Sequence, residues 1–212
     1  MSTEPREFDR VREPRPGEEL DVEALSSFLA ARIEGFGGPL EVKQFPGGHS
    51  NLTYLLRTPG GEYVLRRPPK GAKDIKAGHD MLREARVLTG LSKTWAKAPK
   101  PLATATADAS PLGVPFYVME RKRGLVLRNK VPDGVDLSAA PMRRLSEAFV
   151  DTLVELHAID PVEAGLKDLG NPDGYVRRQV TGWTERWHKA KTEDVDAMET
   201  VARWLDAHVP SS

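Results

Sequence analysis

Apolar positions follow two different periods along this chain, and the change of period divides it. Within residues 21–33, Val22, Leu25, Phe28, Leu29 and Ile33 fall three or four apart, which predicts a short amphipathic helix ended by the stretch from Gly35 to Pro39. Residues 40–45 and 52–57 then read as strands. Pro59-Gly60-Gly61 turns the second into a third at 62–67. Pro68 and Pro69 stop that strand, because proline offers no N–H to a ladder. A helical stripe of Met81, Ala85, Leu88 and Leu91 occupies 77–91, and two further strands are expected at 99–105 and 115–120.

After Gly124 strand patterning ceases. Met142, Leu145, Phe149, Leu153 and Leu156 predict a long buried helix that begins near Ser138 and Pro141 and ends at Asp160-Pro161. A segment with Trp183 and Trp187 follows, then a helix over 193–208 carrying Val195, Met198, Val201 and Leu205. The expected organisation is a flexible leader (1–19), a five-stranded antiparallel lobe with one inserted helix (20–123) and a helical region (124–212).

Lysine plus arginine and aspartate plus glutamate both number 31, so no net field recruits nucleic acid or an acidic membrane. The absence of cysteine removes disulfides, thiolate zinc sites and cysteine nucleophiles, and fits a cytoplasmic protein. The first twenty residues are charged and proline-rich, unlike a signal peptide, and no run approaches the ~18 apolar residues of a membrane span.

Four segments carry candidate chemistry. Gly47, Gly48, His49, Ser50 and Asn51 lie between two strands, where small residues let backbone N–H groups close on phosphate oxygens. A hairpin turn that merely needs positive φ accounts for them equally. On the third strand, alternation puts Val64 and Arg66 on one face and Leu65 and Arg67 on the other. Glu84, in REARVL, borders the apolar stripe beside Met81 and Leu88, where a carboxylate needs a cationic partner; Arg83 or a lysine would serve. The fourth segment is PFYVMERKRG, a strand running out to Gly124.

In this order and spacing, the four segments resemble the aminoglycoside phosphotransferase family of choline-kinase-like small-molecule kinases. The branch found alone in bacteria or fused to acyl-CoA dehydrogenases is the most similar. The resemblance spans roughly residues 40–210. It implies a protein-kinase-like α+β fold, with the sheet as N-lobe and the first helices of an α-helical C-lobe. It also implies ATP-dependent phosphorylation of a hydroxyl on a small-molecule substrate. The 47–51 loop would cover the phosphates, Arg66 would hold them with Glu84 as its partner, and Val64 would lie against adenine. Met119 would line the back of the pocket, and the main chain at Glu120 and Lys122 would bond the adenine edge. Arg123 departs from the acidic residue more usual in the family.

The family's catalytic base and metal ligands lie on a His-(Gly or Asn)-Asp loop and a later aspartate, after the helix that 193–208 matches. Residues 1–212 contain no such run. Asp136, Asp160, Asp168, Asp173 and Asp194 match non-catalytic parts, and His157 to Asp160 matches a packing turn. The resemblance therefore implies no catalytic or metal residue here, magnesium only with a further C-lobe segment, and a kinase broken off before its catalytic loop. The alternative is a non-catalytic nucleotide-binding module or scaffold. Candidate partners are the remaining C-lobe half and an acyl-CoA dehydrogenase.

Overall fold

The computed structural model describes residues 11–46, 51–69, 80–127 and 134–210. The chain divides into two compact units, one ending at Leu166 and one starting at Lys167.

The first unit is built on a five-stranded antiparallel sheet, in the order β1-β2-β3-β5-β4. Its strands are β1 (Glu41–Gln44), β2 (Leu52–Thr58), β3 (Gly61–Arg67), β4 (Pro101–Ala105) and β5 (Phe116–Glu120). The strands fall within a residue or two of the positions that alternation predicts. α1 (Val22–Ala30) is capped by Asp21, whose carboxylate accepts from Ala24 N–H at 3.0 Å. It buries Leu25 and Leu29 on one face of the sheet, against Tyr54, Leu56, Leu65, Phe116 and Val118. Ile33 lies past the end of α1 yet stays buried, its N–H closing a turn onto Leu29.

The opposite face carries α2 (Met81–Leu91), capped by Asp80, which accepts from Arg83 N–H at 2.9 Å. Met81 and Ala85 pack on Tyr117, with Leu88 and Met119 alongside. The predicted helix start at residue 77 lies outside the described residues.

Residues 11–19, expected to belong to a flexible leader, are tied down. Arg12 and Gln44 exchange backbone hydrogen bonds, and the Gln44 side chain accepts from Arg15 N–H. The Glu18 carbonyl accepts from both Tyr54 Oη (2.7 Å) and the guanidinium of Arg67 (3.1 Å). Arg67 is wholly buried, and its other acceptors are the Tyr54 hydroxyl and the Pro68 carbonyl. A buried cation needs such oxygens, and here the chain ahead of α1 supplies one.

α3 (Ala139–His157) has the expected length but is not buried: Phe149 is 68% exposed and Leu145 and Leu153 are also open. Its anchorage is polar and terminal, with Glu155 accepting from Lys97 (2.5 Å) and Trp95 (3.1 Å). The turn after α3 packs on α2 at Gly90, where the Ala164 carbonyl leaves no room for a side chain.

The second unit contains a 3-10 turn (Lys167–Leu169), α4 (Tyr175–Ala190) and α5 (Asp196–Ala207). α4 was not anticipated as a helix. Val176, Val180, Trp183 and Trp187 do recur at helical spacing, but Gly182 weakens the helix and Gly174 caps it without a side chain. Glu199 on α5 joins the two helices by accepting from Trp187 (3.1 Å), His188 (3.0 Å) and Lys191 (3.1 Å). Those hydrogen bonds hold its carboxyl down at about 2.

Candidate functional site

The sheet face that carries α2 shows three cross-strand rows. Hairpin register places Thr53, Leu55 and Arg57 of β2 opposite Arg66, Val64 and Glu62 of β3. The next pairing sets Arg66 against Tyr117 and Val64 against Met119 on β5. Tyr63 pairs with Glu120, so the continuing register brings Glu62 to Arg121 just beyond the strand. An apolar row, Leu55–Val64–Met119, thus lies between two charged ones.

In the first charged row, Arg66 Nε lies 3.3 Å from Glu84 Oε2. The Nε atom is buried and is not aligned for a hydrogen bond, so the contact is an ion pair set by proximity. Both side chains are one-third exposed. The Glu84 carboxylate also accepts from Asn51 Nδ2 at 3.1 Å and from Tyr117 Oη at 3.0 Å. Burial pushes the Tyr117 phenol well above its ordinary value; the Arg66 charge opposes this and Glu84 adds to it. Glu84 therefore pairs with Arg66, and among the described residues neither Arg83 nor a lysine takes that place.

The apolar row is closed. Leu55 is fully buried and Val64 nearly so. Met119 is partly buried against α2. At the end of β5, Glu120 donates its N–H to the Lys100 carbonyl at 2.9 Å. Any further ligand contact of that peptide group falls to its carbonyl. The Lys122 and Glu120 side chains pair with each other at 3.3 Å, both well exposed.

In the second charged row, Glu62 accepts from Arg57 Nε (2.9 Å), Arg121 (2.7 Å) and Arg123 (2.6 Å). Burial raises the Glu62 carboxyl, but the three guanidiniums outweigh it and hold the group below its ordinary value. Arg57 reaches on to Glu41 of β1 at 3.5 Å, so charges alternate along the row.

The structure thus brings Asn51, Val64, Arg66, Glu84 and Met119 together on one face, with Glu120 and Lys122 at its edge. Asn51 is nearly buried and spends a side-chain donor on Glu84, at the foot of the loop. Gly47, Gly48, His49 and Ser50 lie outside the described residues. Tyr117, Glu62 and Arg121 were not singled out from the sequence. Their signal is the register of β2, β3 and β5, which alternation does not reveal.

Three of the remaining acids have local roles. Asp136 caps Ser138 N–H, Asp160 accepts from Val162 N–H at 2.6 Å, and Asp194 pairs with Lys191. Among the described residues no three His, Asp or Glu side chains converge as a metal site, and no helix is long and apolar enough to cross a membrane.

The profile of the phosphotransferase enzyme family matches residues 41–212, which include every element of this face. The chain belongs to the phosphotransferase enzyme family. Over 206 residues this family member is 33% identical to acyl-CoA dehydrogenase family member 11 of Homo sapiens, covering 95% of this chain and 26% of that one. The Rattus norvegicus protein of the same name is 34% identical over 201 residues, covering 93% and 25%. The chain spans about a quarter of the length of these relatives. A crystal structure of a candidate aminoglycoside phosphotransferase from Ralstonia eutropha superposes with a TM-score of 0.73 at 35% identity, covering 91% of this chain and 54% of that one. The α+β architecture with its five-stranded antiparallel sheet is accordingly the kinase-like fold.

Proposed function

We propose that this face binds an adenine nucleotide, and that the chain is the nucleotide-holding part of an ATP-dependent phosphotransferase acting on a small-molecule hydroxyl. The observation that carries the reading is the three-row face. Val64 and Met119, backed by the fully buried Leu55, would lie along one edge of a flat base. Arg66, oriented by Glu84, offers a cation one row further along for phosphate oxygens. The Glu120 carbonyl and the Lys122 main chain would meet the base edge. Asn51, fixed on Glu84, would lie beside the phosphates.

Phosphoryl transfer depends on positioning and on electrostatic stabilisation of the transferred group. The residues of this face supply part of that: an apolar row, a held guanidinium and a backbone edge. No base or metal ligand is assigned within residues 1–212. On this reading the 212-residue polypeptide binds nucleotide without turning it over.

The test is ADP release by the purified chain over a panel of alcohols, amino sugars, choline-like compounds and hydroxyacyl-CoAs. Background turnover alone, combined with nucleotide binding, is expected. Substrate-dependent ADP release that Arg66→Ala abolishes would place a complete active site within these residues and overturn this division of labour.

A further inference from the structure

Arg123 stands at the exit of β5, yet its guanidinium turns back onto the sheet to meet Glu62 at 2.6 Å. Arg121 reaches the same carboxylate oxygen at 2.7 Å. Arg121 and Arg123 thus meet one carboxylate, while Lys122 between them pairs with Glu120. One carboxylate therefore grips the segment leaving the sheet at two positions.

The grip is itself anchored. Glu62 is the second residue of β3, and its other oxygen accepts from Arg57, the residue opposite it on β2. Arg57 continues to Glu41 on β1. The segment is thus connected through side chains to three strands. A carboxylate can accept several such charge-assisted bonds, and each is stronger than a neutral one. The Glu62 side chain is 20% exposed, which limits competition from water.

We infer that Glu62 is a positioning residue: by holding Arg121 and Arg123 it fixes the backbone from Glu120 to Lys122 and so sets the base selectivity of the nucleotide site. The inference rests on the adenine reading of that edge. Selectivity for adenine through main-chain groups requires those groups to hold still, since a peptide plane that rotates offers donor and acceptor to other bases as well. If release of the clamp leaves about a tenth of molecules competent, the apparent Kd for the selected base rises about tenfold. Contacts to phosphate, made at Arg66 two rows away, are unaffected.

The test is calorimetric titration of the full 212-residue chain with ADP, GDP and pyrophosphate, for the wild type, Glu62→Gln and Arg123→Ala. Amide hydrogen exchange over residues 121–124 is followed without ligand. Expected are a wild-type preference for ADP over GDP and an approximately tenfold loss of ADP affinity in Glu62→Gln. Arg123→Ala should lose less, pyrophosphate binding should not change, and exchange at 121–124 should be faster in both variants. Arg123 is 69% exposed, so Arg123→Ala carries the test alone if Glu62→Gln fails to fold. Wild-type binding with an unaltered ADP-to-GDP ratio in the variants, or unaltered exchange, overturns this inference and leaves the nucleotide reading standing. A wild type that binds no nucleotide overturns both.

Discussion

Arg66 on β3 and Glu84 on α2 meet at 3.3 Å, and the same carboxylate collects hydrogen bonds from Asn51 just ahead of β2 and Tyr117 on β5. One glutamate thereby ties a helix to β3, to β5 and to the residue that leads into β2. Removing either ion-pair partner leaves the other half-buried without its counter-charge, a costlier state than losing an exposed pair. A double-mutant cycle on Arg66→Met and Glu84→Gln, followed by urea unfolding, is expected to show coupling of about 1 kcal/mol, above the few tenths typical of exposed pairs. Additive effects would show that the contact contributes nothing specific.

Tyr117→Phe removes one donor to Glu84 while keeping the ring that packs on Met81 and Ala85. A loss of about 1 kcal/mol is expected. The phenol also has a pH signature. Its folded-state pKa lies above the ordinary value of 10.0. Below pH 10 the group is protonated in both folded and unfolded chains. As pH rises beyond that, the unfolded chain ionises first, so stability falls toward the folded-state value. The difference between wild-type and Tyr117→Phe phenolate titrations should therefore develop well above pH 10. A difference curve centred at 10 would contradict the burial and hydrogen bonding described.

Gly90 sits inside α2, where alanine would ordinarily be worth up to about 1 kcal/mol of helix propensity. A Cβ there would lie 2.6 Å from the Ala164 carbonyl and 2.9 Å from the Leu166 side chain. Displacing a backbone carbonyl in a packed turn costs on the order of 1–3 kcal/mol. Gly90→Ala should therefore lower the Tm; a raised Tm would mean that the turn at 161–166 does not rest on α2.

Much of the fold was legible because local pattern and tertiary role agree. The strands alternate and α2 carries a clean stripe; the edge of that stripe showed that Glu84 needs a cation, and the family resemblance chose Arg66 over Arg83 or a lysine. Residues whose role depends on register were not legible: Tyr117 and Glu62 acquire meaning only once β2, β3 and β5 are aligned. α4 escaped because Gly182 interrupts its pattern and no side chain caps it. The stripe of α3 was read correctly as helical but wrongly as buried, since periodicity reports an apolar face and not what covers it. Residues 11–19 looked like leader because their anchors are backbone groups, bonded to a buried arginine and tyrosine far along the chain.

The central claim is that the α2-bearing sheet face binds an adenine nucleotide through Arg66 and the apolar row. Calorimetric titration of the chain with ADP and with adenosine, for the wild type and Arg66→Met, tests it directly. Saturable ADP binding is expected, weakened about tenfold or more in Arg66→Met through loss of a charge-assisted phosphate contact, with adenosine affinity little changed. No detectable binding of either ligand at millimolar concentration, or equal ADP affinity in the two proteins, would contradict it.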